Sequence, residues 1–156
     1  MKNLETERKF LVRRDLWEKT PRQGGVDYRQ GYLAIDEDKA VRVRIGGGKG
    51  YLTIKGKSET ITRPEFEYQI PEDDASALII RYTRGIIEKT RYKAEYHGYV
   101  WEVDEFHGLN EGLIMAEIEL EGPDCRFDIP EWVGEEVTGD YRYYNSFLSE
   151  NPFTEW

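Results

Sequence analysis

Alternation of polar and apolar side chains with a period of two residues is the dominant pattern along this 156-residue chain. The segment 40–45 is the clearest case. On an extended strand, Val41, Val43 and Ile45 fall on one face, and Arg42 and Arg44 fall on the other. Similar alternation predicts eight strands, at 5–12, 28–35, 40–45, 51–57, 61–70, 86–96, 99–106 and 113–120.

Short turns join most of the predicted strands, which favours antiparallel neighbours. The glycine-rich segment 46–50 predicts a hairpin, since it lacks the GxxxxGK[ST] spacing and the following helix of a phosphate-binding loop. Helices are predicted at 15–19 and 71–82, and helical stretches at 131–137 and 143–148. We therefore expect one domain over 1–156, of α+β class but mainly β. Its eight antiparallel strands would close into a barrel with a few flanking helices.

The polar faces of these strands carry full charges that are segregated by sign. The first strand carries Glu5, Glu7 and Lys9 in a row on one face. The spacing alone decides nothing, because acid-x-acid pairs occur seven times where 31 acidic residues would give about six by chance. Their placement is informative, since four of the pairs lie opposite a largely apolar face: 5/7, 65/67, 102/104 and 117/119. Basic pairs are placed in the same way at 42/44, 55/57 and 89/91.

Two interpretations of the charged faces are open at this point. An antiparallel sheet ordinarily exposes one polar face to solvent, but such a face is usually mixed and rich in Ser, Thr and Asn. If the charged faces instead point into a barrel, the buried charges need partners. A small polyanion with divalent cations would supply them, because carboxylates bind the metal while arginines and lysines bind phosphate oxygens.

Composition narrows the class of protein. A net charge of −9 disfavours binding to nucleic acid or to an anionic membrane. The N-terminus has no apolar run and no stretch reaches the length of a membrane span, so we expect a soluble cytoplasmic protein. His97 and His107 lack zinc-ligand spacing, and the single cysteine, Cys125, excludes an internal disulfide. The tryptophans at 17, 101 and 132 are typical of core positions.

A series of motifs extends over nearly the whole chain in one order. It begins with Glu5-Thr6-Glu7-Arg8-Lys9 and continues through Val41-Arg42-Val43-Arg44 and Leu52-Thr53-Ile54-Lys55. Further members are Glu65-Phe66-Glu67, Glu88-Lys89-Thr90-Arg91-Tyr92, Trp101-Glu102-Val103-Asp104-Glu105, Ala116-Glu117-Ile118-Glu119 and Arg142-Tyr143-Tyr144-Asn145. Together these motifs resemble the CYTH domain, the triphosphate tunnel metalloenzymes, and in particular the bacterial stand-alone inorganic triphosphatases.

The resemblance implies an eight-stranded antiparallel tunnel, open at both ends, that hydrolyses a triphosphate with Mg²⁺ or Mn²⁺. The implied metal ligands are Glu5, Glu7, Asp104, Glu117 and Glu119, with Glu65, Glu67 and Glu102 at further positions inside the tunnel. The implied substrate-binding residues are Lys9, Arg42, Arg44, Lys55, Lys89, Arg91 and Arg142. Glu5, Glu7, Lys9 and Arg91 would carry the catalytic role. Homodimers are compatible with the family.

Several functions stay open on the sequence. Inorganic tripolyphosphate is the expected substrate, because the chain has no appended domain and no obvious base-recognition site. A nucleoside triphosphatase or a class IV adenylate cyclase acting on ATP is the alternative enzyme. A non-catalytic binder of polyphosphate or nucleotide is an alternative of another class, although binding alone needs only the basic residues. A lipocalin-like carrier would require an apolar lumen and would leave the charged faces unexplained.

Overall fold

The chain forms a closed antiparallel β-barrel in a computed structural model, which describes residues 3–57 and 60–156. The strands are β1 Leu4–Val12, β2 Gln23–Ile35, β3 Lys39–Gly46, β4 Lys49–Gly56, β5 Thr62–Ile70, β6 Arg84–Tyr96, β7 Tyr99–Phe106, β8 Ile114–Leu120 and β9 Val133–Glu136. The helices are α1 Arg14–Trp17, α2 Glu72–Tyr82 and α3 Asn145–Glu150, with 3-10 turns at Gly108–Asn110, Tyr141–Tyr143 and Phe153–Glu155.

Eight strands close the barrel in the order β5-β4-β3-β2-β6-β7-β8-β1, and β1 pairs again with β5. The predicted eight-stranded barrel is therefore confirmed. The β3–β4 hairpin turns at Gly47 and Gly48, whose φ angles of 58° and 75° suit glycine. The closing pair is short: β5 contacts β1 only through Thr62–Pro64, and Glu7 then donates its backbone N–H to Ile61 at 3.3 Å.

A ninth strand corrects one sequence prediction. The segment 131–137, predicted as helical, contains β9, which pairs with β1 at Phe10↔Glu136 and Val12↔Val133. The edge of β1 beyond Lys9 is not covered by β5, so its backbone groups need another partner. Val137 supplies one by donating its N–H to the carbonyl of Lys9 at 2.8 Å. Tertiary pairing outweighs the local helical tendency here. The other tail prediction, at 143–148, overlaps α3 and begins two residues too early.

An aromatic core lies on the outer face of β1, β7 and β8, under α1 and β9. Phe10, Trp17, Trp101 and Trp132 are buried there, and Trp17 and Trp132 have ring centroids 4.9 Å apart. The predicted core role of these tryptophans is confirmed. On the opposite side, α2 packs Ala75 and Ile79 against Val43 of β3. Because the outer faces carry the apolar contacts, the charged faces of these strands point into the barrel.

One end of the barrel interior is filled by apolar side chains. The inward rows of β6, β7 and β8 continue past their charges to Ile87, Phe106 and Met115, which cluster with Leu148 of α3. Asn145 and Ser146 of α3 line the charged cavity from this side. Within residues 3–57 and 60–156, no helix is long and apolar enough for a membrane crossing.

Gly85 keeps α3 against the barrel, which gives a stability prediction. Its φ is 60°, and a Cβ at this position would lie 1.6 Å from the carbonyl oxygen of Ser149 in α3. We expect Gly85→Ala to lower the free energy of unfolding by about 2–3 kcal/mol, because α3 must shift and the apolar cluster must repack. Denaturant unfolding measures this change.

Gly48→Ala is the matched control for Gly85→Ala. Gly48 also has a positive φ, but a Cβ there would meet no atom within 4 Å. It therefore reports the backbone strain alone, which costs about 1 kcal/mol. Equal losses in the two variants would contradict the packing argument.

Candidate active site

A charged cavity of about 250 Å³ occupies the barrel interior beyond the apolar end. Every strand from β1 to β8 except β2 contributes an inward charged side chain to it, and β2 contributes Tyr32. The predicted site residues that line it are Glu5, Glu7, Lys9, Arg42, Arg44, Lys55, Glu65, Glu67, Lys89, Arg91, Glu102, Glu117 and Glu119. The structure therefore brings most of the predicted site together.

The acidic wall is built by β1 and β8. In their antiparallel register Glu7 faces Glu119 and Lys9 faces Glu117. Two carboxylates directly opposite one another repel. Burial, followed by the charge of Glu117, raises the pKa of Glu7 to about 8. Burial and the neighbouring carboxylates therefore both disfavour the ionised form of Glu7.

Glu5 adds a second buried carboxylate to the same wall. Its Oε1 accepts a hydrogen bond from Lys55 at 3.3 Å, and the same Lys55 Nζ lies 3.1 Å from Oε2 in an ion pair. Buried carboxylates side by side offer the oxygen donors that a hard divalent cation prefers. The residues present fit such an ion.

The carboxylates are not already gathered around one point. Within residues 3–57 and 60–156, no three side chains of the His, Cys, Asp or Glu type converge into a ready metal site. Cations lie between them instead: Lys9 is 3.5 Å from Glu117, and Arg63 is within 4 Å of both Glu5 and Glu7. Although burial opposes it, the charges of Lys9 and Arg91 hold the pKa of Glu117 well below its usual range.

The basic wall is built by β3, β4 and β6. Arg44 lies between two tyrosine rings, 4.7 Å from the centroid of Tyr28 and 5.7 Å from that of Tyr51. Arg42 contacts Thr53 Oγ1 at 3.3 Å. The Nε donors of both arginines are buried and make no hydrogen bond to the described residues. Buried N–H groups without an acceptor are costly, so this wall favours an anionic ligand rich in acceptor oxygens.

Asp104 is placed differently from the other predicted carboxylates. It does not line the cavity, and both its oxygens are taken by cations. Arg91 donates to its Oδ1 at 2.7 Å and to its Oδ2 at 2.9 Å, and Lys89 Nζ lies 2.9 Å from Oδ2. Burial lowers the pKa of Lys89 to about 8, against the opposing charge of Asp104. Asp104 thus orients two cations of the basic wall instead of facing a ligand.

Arg142 is the other predicted residue that the structure leaves outside the cavity. Its side chain is exposed and pairs with Asp140 at 2.7 Å. The same C-terminal segment does reach the cavity through Tyr144, Asn145 and Ser146, which the sequence analysis did not identify as site residues. Asn145 accepts a hydrogen bond from Lys89 at 3.0 Å. Arg63 was also missed, although it shares the inward face of β5 with Glu65 and Glu67.

Comparison with known proteins identifies the family. A model described as the CYTH domain matches residues 3–146. The chain belongs to the CYTH domain family. An inorganic triphosphatase of Acetivibrio thermocellus is 51% identical to this CYTH domain over 151 residues, covering 96% of this chain and 95% of the relative. An inorganic triphosphatase of Nitrosomonas europaea is 36% identical over 152 residues, covering 93% and 96%.

Solved structures agree with the family and the fold. The crystal structure of an inorganic triphosphatase superposes on this CYTH domain with a TM-score of 0.64 at 36% identity, covering 93% of each chain. A putative adenylate cyclase from Bacillus halodurans has a TM-score of 0.62 at 15% identity and covers 77% of this chain. The second likeness shows a shared fold alone.

Proposed function

We propose that this CYTH domain hydrolyses the terminal phosphate of inorganic tripolyphosphate with the help of a divalent cation. The observation that supports the proposal most is that the acidic wall and the basic wall line the same cavity, of about 250 Å³. One wall holds clustered carboxylates and the other holds arginines with unsatisfied donors. The two full-length relatives named inorganic triphosphatase support the same activity.

The basic wall would bind and orient the substrate. Arginine guanidinium groups match phosphate oxygens in a bidentate manner, and Lys55 and Lys89 add point charges. Lys9 and Arg91 lie at the boundary of the two walls, each within 4 Å of Glu117. We assign to them the stabilisation of the charge that develops on the phosphate at which bond cleavage occurs. Phosphoryl transfer needs positioning and charge stabilisation above all, and no covalent nucleophile is required.

The acidic wall would hold the cation, Mg²⁺ or Mn²⁺. Glu5, Glu7, Glu117 and Glu119 are the proposed ligands, and Glu65, Glu67 and Glu102 are further candidates on the cavity surface. When bound, such an ion neutralises phosphate oxygens and stabilises charge on the leaving group.

The compact cavity favours an inorganic substrate over a nucleotide. Its lining includes two aromatic side chains, Tyr32 and Tyr144, and is otherwise almost entirely charged or polar. Base recognition usually needs an apolar or aromatic surface beside the phosphate site. Adenylate cyclase and nucleoside triphosphatase activities are therefore less favoured than hydrolysis of tripolyphosphate. The cytoplasmic location, a homodimer and the absence of nucleic-acid or membrane partners stay predictions.

Phosphate release from two substrates tests the proposal. With Mg²⁺ or Mn²⁺ present, we expect kcat/KM for tripolyphosphate to exceed that for ATP by about 100-fold or more, because ATP must place a nucleoside outside a site that offers it few contacts. Colorimetric phosphate assays and chromatography of the ATP products make the measurement. Chelation of the metal should stop release from tripolyphosphate. Formation of cyclic AMP would favour the cyclase, and tight binding without phosphate release would favour the non-catalytic binder.

A further inference from the structure

Arg63 makes an unusual contact with the acidic wall. Its Nε lies 3.7 Å from Glu5 Oε2, and its guanidinium NH2 group lies 3.6 Å from Glu7 Oε1. Both separations exceed hydrogen-bond distance. The structural ion pair nearby is very different, since Arg91 makes two hydrogen bonds to Asp104, at 2.7 and 2.9 Å. Arg63 is therefore attracted to the two carboxylates by charge without being fixed to them by hydrogen bonds.

Arg63 also occupies the place that a cation would need. Within the described ranges, it is the one basic residue at ion-pair distance from Glu7. It bridges Glu7 to Glu5, whose Oε2 also pairs with Lys55 at 3.1 Å. A divalent ion bound by these two carboxylates would lie close to the guanidinium, and like charges at such separations repel strongly in a partly buried site. The ion and Arg63 therefore compete for the two carboxylates.

A second cavity adjoins Arg63 and offers space for its side chain. This lateral cavity, of about 510 Å³, lies where β5 diverges from β1, and it shares Glu7, Lys9, Arg63 and Tyr144 with the charged cavity. On its outer side it is lined by Lys57 and Thr138. The Arg63 guanidinium lies 5.8 Å from the ring centroid of Tyr144, a contact that tolerates sliding better than a hydrogen-bonded pair.

We propose that Arg63 is a displaceable counter-cation. It lies beside Glu5 and Glu7 when no metal is bound, and it withdraws toward the lateral cavity when a divalent ion takes its place. The inference rests on the proposed function, since it takes the acidic wall as the metal site. The arginine keeps the acidic wall compact without a metal and lowers the affinity for the metal, because binding must displace it.

Direct Mn²⁺ binding tests the inference independently of catalysis. Electron paramagnetic resonance of free Mn²⁺ gives Kd for the wild type, Arg63→Gln, Arg63→Lys and Arg22→Gln. Arg63→Gln should tighten Kd by about fivefold or more, which is the low end of usual coupling between two competing ligands. Arg63→Lys keeps the charge and should stay near the wild type. Without metal, Arg63→Gln should melt at a lower temperature, and Mn²⁺ should raise its Tm more than that of the wild type.

Arg22→Gln is the matched control. The side chains of Arg22 and Arg63 are 28% and 27% exposed, and Arg22 pairs with Glu105 outside the cavity. An unchanged or weaker Kd in Arg63→Gln would overturn the inference, as would equal tightening in Arg22→Gln, which would reflect net charge alone. If Mn²⁺ binds to neither the wild type nor any variant, both the proposed metal site and this inference are wrong. If Kd tightens as expected but tripolyphosphate is not hydrolysed, the inference stands and the proposed activity fails.

Discussion

Replacing Glu5 and Glu7 together by glutamine is expected to reduce tripolyphosphate hydrolysis by about a thousandfold. Loss of a single preorganised charge-stabilising group typically costs about 10²–10³ in rate, and these two carboxylates are proposed to hold the metal. Glutamine keeps the size of the side chain, so the barrel should fold as before. The measurement is kcat/KM from phosphate release over a range of Mg²⁺ concentrations, with Mn²⁺ binding followed in parallel.

Glu88→Gln/Glu95→Gln is the control for that double variant. Both residues are exposed on β6 and lie outside the charged cavity, while the change in net charge is the same. This control should keep wild-type activity. Unchanged hydrolysis in Glu5→Gln/Glu7→Gln, with metal present, would show that the acidic wall has been assigned the wrong role.

Removing the carboxylate of Asp104 is expected to have the largest effect on stability. Asp104→Ala leaves Lys89 and Arg91 buried beside the site without their shared counter-charge. Breaking a buried, hydrogen-bonded ion pair from one side costs about 3–5 kcal/mol. In a domain of this size the melting temperature should fall by about 10 °C. Thermal unfolding followed by circular dichroism measures it.

An exposed ion pair provides the comparison for Asp104. Asp36 and Lys39 lie 2.7 Å apart at the β2–β3 turn, where solvent screens the interaction. Lys39→Ala, which removes this pair and keeps the turn hydrogen bonds of Asp36, should therefore change the melting temperature little. A second comparison is Lys89→Met/Asp104→Leu, which should recover part of the loss, since apolar replacement of a buried pair is often tolerated. A similar, small Tm change for Asp104→Ala and Lys39→Ala would contradict the buried-pair argument.

The barrel and most of its lining could be predicted from the sequence because strands alternate strictly. Once β3 is recognised by Val41, Val43 and Ile45, the inward direction of Arg42 and Arg44 follows from geometry. Alternation does not tell which of the inward side chains along a strand reach the cavity. Asp104 and Glu102 share one face of β7, yet only Glu102 reaches the cavity, because Asp104 lies among buried cations. Alternation gives the face that a side chain points to and says nothing about its neighbours on other strands.

The C-terminal contributions could not be predicted for a related reason. β9 is a strand because the exposed edge of β1 requires a partner, and that requirement is invisible in the local sequence around Gly134. Asn145 and Tyr144 reach the cavity because α3 folds back over the barrel end, where Leu148 joins the apolar cluster. Arg63 could have been found, since it is the next inward position before Glu65 on β5.

The pairing of β1 with β5, β8 and β9 has a consequence for the order of folding. The partners of β1 lie later in the chain, at residues 62–64, 115–120 and 133–136, so they are synthesised after it. Such distant contacts slow folding, and they cannot form until most of the chain has been synthesised. The hairpins β3–β4 and β6–β7 can form earlier from neighbouring segments. The acidic wall is therefore completed by β8 only after every residue of the basic wall has been synthesised.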